Sequence, residues 1–204
     1  MSYDELICDL VLASASRRRR ELLERAGLRL LVRVAGVDET PRPGEAPGAL
    51  AKRLARAKLE AVAAGIAAES GPAARFVLAA DTVVAVDGEI LGKPRDAAEA
   101  RAMIRRLSGR THDVLTGYAI LRLPPDRAMR EGVVRTEVTF RELSGEVVGR
   151  YVDSGEPMDK AGAYGIQGTG AMLVRSVSGS YTNVVGLPLV EVLESLEALG
   201  GPAR

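Results

Sequence analysis

The chain has 204 residues, of which 28 are basic and 27 acidic, for a net charge of +1. That balance argues against a dedicated nucleic-acid or membrane-surface binder, each of which needs a strongly basic face. The length suits one domain over residues 1–204, or two lobes sharing a core, and that core must be aliphatic, since the chain has two Phe and no Trp.

The N-terminal "MSYDELICDLVLAS" lacks a basic region followed by a long apolar one. Neither a signal peptide nor a membrane span is expected, and the default setting is cytoplasmic. Cys8, the single cysteine, lies in this apolar run and reads as a core residue. "LICDLVLAS" reads as a buried strand. In "SRRRRELLERAGL", Leu22, Leu23 and Ala26 recur at helical spacing, with Ser16 as N-cap and Gly27 as C-cap. "LRLLVRVAGV" is the next strand, and "DETPRPGEAPG" is an exposed loop.

A long helix is expected from Ala49 to about Glu69, with Leu50, Leu54, Ala57, Ala61 and Ala64 as its apolar stripe. "FVLAADTVVAV" is a strand, Asp87-Gly88 a hairpin turn, and "DAAEARAMIRRLSG" a helix capped by Asp96 and ended by Gly109. "THDVLTGYAILRL" and "VVRTEVTFREL" read as two long strands, and "SGEVVGRYVDSG" as a short helix. Residues 159–186 form a glycine-rich stretch with strand pieces, and "LPLVEVLESLEALG" closes the chain as an amphipathic helix. Helices alternate with strands in the first half, and long neighbouring strands dominate the third quarter. The expected class is therefore α/β with a mixed sheet.

The chemistry-bearing residues are few in kind. In "LASASRRRRELL" a strand runs into Ser14, Ser16 and a helix start, where free N–H groups and the positive helix end suit an anion. Arg17 to Arg20 step about 100° each around that helix, so one or two face a cleft and the rest are solvated. Asp38 and Glu39 end a strand. Asp81 differs, because it interrupts an apolar run. A carboxylate there is a salt-bridge partner, a metal ligand or a general base. Only four basic residues are lysines, and Lys58 and Lys93 are candidate phosphate-binding charges. Lys93, in "LGKP", arrives where the second hairpin strand ends and is expected to point back toward Asp81.

"DGEILGKP" is not a phosphate loop, because Asp87 stands where Gly is required and Pro94 where Ser or Thr is. The glycines at 162, 165, 168 and 170 do not have dinucleotide-fingerprint spacing, though Gln167 among them carries both a donor and an acceptor. One His and one Cys rule out a local zinc cluster of those types, and no Ser-His-Asp arrangement surrounds His112. What remains is carboxylates, Lys, Arg and small donors. That set suits phosphate chemistry with Mg²⁺.

"LASASRRRRELL", "AADTVVAVDGEILGKP", "LSGRTHDVLTG" and "DKAGAYGIQGTGAMLVRSVSGSYTNVVGLPL", in that order over about Leu10 to Leu196, resemble the Maf family of nucleoside triphosphate pyrophosphatases. The resemblance implies an elongated mixed sheet with flanking helices and two lobes around a cleft, similar to the inosine triphosphate pyrophosphatase group. It implies cleavage between the α and β phosphates, a divalent cation (Mg²⁺, or Mn²⁺) and often a homodimer. Asp81 falls on the family's proton-acceptor position. Ser14, Arg18, Arg19, Glu39, Lys58 and Lys93 fall on polar positions lining its cleft, and Glu39 with Asp81 would hold the metal. Arg18, Thr82 and Gln167 fall on positions that separate the subfamilies. The "ADT" and "IQG" combination resembles members acting on dTTP and UTP, with Thr82 and Gln167 expected to select the base. Many members have Pro where this chain has Arg17. Alternatives are CTP or 7-methyl-GTP as substrate, or a non-enzymatic nucleotide-binding regulator of cell division.

Overall fold

Strand β3 organises the molecule. It spans Phe76–Val86, and its side chains point alternately to the two faces of a sheet, as a strand of period two must. Phe76, Leu78 and Ala80 join one buried cluster, whereas Val77 and Ala79 join another on the opposite face. A computed structural model describes residues 8–67 and 74–202. The first residues of the expected first strand, the leader expectation on residues 1–7 and the expected end of the long helix at Glu69 lie outside the described residues.

The elements are β1 (Leu10–Leu12), α1 (Arg17–Arg25), β2 (Leu30–Val32), α2 (Pro47–Ala67), β3, β4 (Glu89–Leu91), α3 (Ala97–Leu107), β5 (Thr111–Arg122), β6 (Ala128–Phe140), α4 (Gly145–Asp153), β7 (Val174–Ser178), α5 (Tyr181–Val185) and α6 (Leu189–Ala198). The seven-stranded sheet runs β2-β1-β3-β5-β6-β7, with β4 also paired to β3. β1 is parallel to both β2 and β3, and the other pairings are antiparallel. The mixed α/β class is the one expected. Parallel neighbours need crossovers, which α1 and α2 accompany; of the antiparallel pairs, β3–β4 and β5–β6 are joined by short turns, and β3–β5 and β6–β7 through α3 and α4.

Helix starts follow local chemistry. Ser16, Asp96 and Ser144 each accept a bond from a backbone N–H of the first turn. Gly27 and Gly109 follow helix ends with positive φ, where glycine avoids the Cβ clash. The Asp87-Gly88 turn has positive φ at both residues, as a two-residue hairpin of the favoured twist requires.

Two expectations are corrected. The buried face of α2 is Leu50, Ala51, Leu54, Ala55, Leu59, Val62 and Ala63, whereas Ala57 and Ala61 are half-buried and Ala64 is exposed. The glycine-rich stretch holds one strand, β7. The rest is 3-10 turns at Glu156–Asp159, Ala161–Ala163 and Gly168–Leu173, and the helix α5. One core cluster packs α1 and α6 on one face of β3, another packs α2 on the opposite face, and a third gathers α3 and α4 around the far half of β3.

Candidate active site

One edge of β3 is paired from Phe76 to Ala85 by β5, but the other edge is shared. β1 pairs only as far as Leu78, and β4 begins only at Val84. Asp81 and Thr82 sit in the break between them. Asp81 faces the α2 side and Thr82 the opposite side, so polar groups from both faces of the sheet meet around this open edge.

On the α2 side, Asp81 lies opposite Gly117 of β5. A Cβ on Gly117 would sit 2.3 Å from the Ala51 carbonyl oxygen, so α2 lies against β5 at a distance only glycine permits. Two turns further along α2, Lys58 Nζ contacts Asp81 Oδ1 at 2.5 Å and Glu39 Oε1 at 2.6 Å. Lys58 and Asp81 are 16% and 13% exposed and Glu39 is 53% exposed, so the first two form the floor and Glu39 the open rim. Burial pushes the Glu39 carboxyl upward, but the Lys58 hydrogen bond and charge, with Lys93 and Arg19 behind them, hold it below its usual range. Its loop is tied to α2. Arg53 forks onto both oxygens of Glu45 at 2.7 and 2.8 Å and donates to the Thr40 carbonyl at 3.0 Å.

On the other side, Arg19 enters from the first turn of α1. It donates Nε–H to Gly186 O at 2.7 Å, Nη1–H to Ser14 Oγ at 3.1 Å and Nη2–H to Thr82 Oγ1 at 3.0 Å. Burial lowers its pKa, with Asp81 opposing that shift, yet a guanidinium so held stays cationic at neutral pH. A guanidinium has five N–H bonds, so donors remain for a ligand. Arg18 lies 3.7 Å from Asp159, across from α1. Arg17 and Arg20 pair with Glu21 and Glu24 on the outer face, which divides the arginine run as its helical step requires.

Two expected roles look different in place. The partner of Asp81 is Lys58, not Lys93. Lys93 is exposed and makes no ion pair among the described residues, although its charge reaches Glu39. The Thr82 hydroxyl is engaged by Arg19 and by Thr116 Oγ1 at 2.9 Å, so it is not a free donor for a base. Gln167 is half-buried, precedes the Gly168–Leu173 turn and makes no hydrogen bond among the described residues.

Sequence reasoning missed the residues that support these. Glu156 accepts bonds from Thr169 N at 3.0 Å, the Thr169 hydroxyl, Gly170 N at 3.2 Å and Tyr151 OH at 3.3 Å, and so moors the turn after Gln167. Thr116 and Asn183 lie buried behind Thr82. Threonine is an ordinary strand residue and "SGEP" an ordinary helix exit, so neither announces itself. His112 is buried against Phe140 and bonds Tyr164 OH at 2.7 Å, a packing role in keeping with the lack of a triad.

No group of three His, Cys, Asp or Glu side chains assembles for a metal among the described residues. The carboxylates of Asp81 and Glu39 instead share one ammonium, so their bonded oxygens are no further apart than two such contacts laid end to end. The second oxygen of each has no hydrogen-bond partner among the described residues.

A family model described as Maf-like protein matches residues 9–199. A dTTP/UTP pyrophosphatase of Myxococcus xanthus is 56% identical over 202 residues, covering 99% of this chain and 97% of that protein. One from Geobacter sp. (strain M21) is 51% identical over 191 residues, covering 94% and 95%. A solved dITP/XTP pyrophosphatase from Mycobacterium abscessus aligns with 66% of this chain and 75% of its own at 16% identity, with a TM-score of 0.36, too slight a likeness to carry an argument. By the family match over nearly its whole length, the chain belongs to the Maf family.

Proposed function

We propose that this chain is a nucleoside triphosphate pyrophosphatase that hydrolyses dTTP and UTP between the α and β phosphates, giving the nucleoside monophosphate and pyrophosphate. Relatives at 51–56% identity carry that activity in their names. The observation that carries the reading is the meeting of Asp81, Lys58, Glu39 and Arg19 around the break in the edge of β3.

Asp81 is anchored through one oxygen by Lys58, which leaves the other to orient a water and take its proton as that water attacks the α-phosphorus. Lys58 and Arg19 neutralise charge on the phosphates, with Arg18 and Lys93 at the margins, and Ser14 supplies a neutral donor. Glu39 and Asp81 would hold a divalent cation. Two hard carboxylates suit Mg²⁺, and Mn²⁺ accepts the same donors. When bound, such an ion supplies charge neutralisation on the phosphate oxygens. Gln167 would read the base, because one amide offers a donor and an acceptor to the carbonyl and imide of uracil or thymine. Thr82 acts through Arg19.

No helix of the described residues is long and apolar enough to cross a membrane. A cytoplasmic setting follows from the substrate, since free nucleoside triphosphates are held there.

The test incubates the purified chain and Mg²⁺ with dTTP, UTP, CTP, 7-methyl-GTP and ATP, assaying monophosphate and pyrophosphate. UTP and dTTP turnover is expected to dominate. Asp81→Asn should lose turnover about a hundredfold or more with its fold kept, the usual weight of a general base. Nucleotide binding without pyrophosphate release would instead favour the regulator reading.

A further inference from the structure

Behind Arg19 lies a chain of hydrogen bonds whose direction follows from donor type and contact length. An arginine can only donate and a carbonyl can only accept. Arg19 therefore donates to Thr82 Oγ1 at 3.0 Å, and Thr116 Oγ1 donates to Asn183 O at 3.2 Å. Each hydroxyl has one proton. With the Thr116 proton on Asn183 O, the 2.9 Å bond between the two threonines runs from Thr82 to Thr116. The reverse order would send the Thr82 proton to Gly186 O at the longer 3.4 Å and give up the 3.2 Å contact to Asn183 O, so the shorter set of contacts is the one assigned. The order is then Arg19 to Thr82 to Thr116 to Asn183.

The far end of this chain is fixed in the core. Asn183 is fully buried, and its amide donates to Val114 O and Thr136 Oγ1, each at 3.0 Å. Thr116 is 0% exposed, so water cannot replace its partners. Thr82 and Thr116 are direct cross-strand neighbours, which holds the two hydroxyls in register. Valine would fill the Thr116 site with the same shape and no hydroxyl to satisfy.

We propose that Thr116 is a positioning residue for the Arg19 guanidinium. By taking the proton of Thr82, it turns a lone pair of that hydroxyl toward Arg19, and so sets the plane in which the guanidinium meets the triphosphate. This rests on the reading of Arg19 as a triphosphate ligand.

The test compares Thr116→Val, Thr116→Ser, Thr82→Val and the double variant Thr82→Val/Thr116→Val for UTP turnover, UTP affinity by calorimetry, and Tm. Thr116→Val should lower kcat/KM about tenfold through the loss of one buried hydrogen bond to a charged group's partner. Thr116→Ser should recover most of it, and the double variant should be no worse than Thr82→Val alone, since both act through one path. Unchanged activity in Thr116→Val, equal damage in Thr116→Ser, or additive losses in the double variant would overturn the proposal. Should Thr116→Val not fold, Thr116→Cys decides: a partial loss supports the role and wild-type activity refutes it. Wild-type turnover in the same assay tests the activity itself. If that turnover is absent, the affinities still decide the role of Thr116: a fall in Thr116→Val supports it and an unchanged value refutes it.

Discussion

Lys58 shows how one side chain can stand out in the sequence while its face on the helix does not. It follows Leu54 by four residues and precedes Val62 by four, on the face that α2 turns to the sheet. Alanines on every side of the helix blur its periodicity, so a stripe through Ala57, Ala61 and Ala64 reads equally well and leaves Lys58 off the buried face. Asp81 was legible, because an apolar run with one carboxylate poses its own question. Its partner was not, because Lys58 and Lys93 are equivalent until the chain is folded. Glu39 is the more exposed of the two carboxylates that Lys58 joins. Glu39→Gln should therefore leave Tm nearly unchanged while raising the Mg²⁺ concentration for half-maximal turnover about tenfold. A metal titration checks this, and an unaltered requirement would remove Glu39 from metal binding.

At the scale of elements, α2 and β5 approach so closely that backbone meets backbone at Gly117. Gly117→Ala would place a methyl against the Ala51 carbonyl and Lys52 N, neither of which can swing aside. The expected cost is about 1–3 kcal/mol or more of stability, with turnover lost out of proportion as Lys58 is lifted from Asp81. Denaturant unfolding and UTP turnover measure the two effects, and full activity would show that α2 can shift harmlessly. The sequence marks Asp87-Gly88 as a turn because such a hairpin has few other solutions. It does not mark β6 as starting at Ala128, since the first five residues of that strand include Arg130, Glu131 and a glycine, leave no side chain buried and are held by their pairing with β5. Nor does it mark the turns before β7, which depend on Glu156 and Tyr151 reaching them from other elements.

At the scale of the whole molecule, the mixed class was legible from alternation, but the strand order was not. Nothing local tells β3 to lie between β1 and β5. One global property does trace to a single residue. Burial lowers the His112 pKa to about 4, because a charged ring would lose its hydration there and its Nδ1 has no partner among the described residues. A folded pKa below the unfolded value means stability that is whole above about pH 6.5 and is lost as pH falls toward 4. The loss is about 3 kcal/mol, each pKa unit being worth about 1.4 kcal/mol. Urea midpoints across that range should fall in the wild type and fall less steeply in His112→Phe; equal slopes would exonerate His112. The interrupted edge of β3 has its own corollary. The Leu78 carbonyl takes Ala13 N–H, so, by alternation, Ala80 and Thr82 turn their peptide groups into the gap. A few extra residues at the end of β1 would zip that aperture shut. Chain length alone, with every polar side chain intact, would then act as an off-switch.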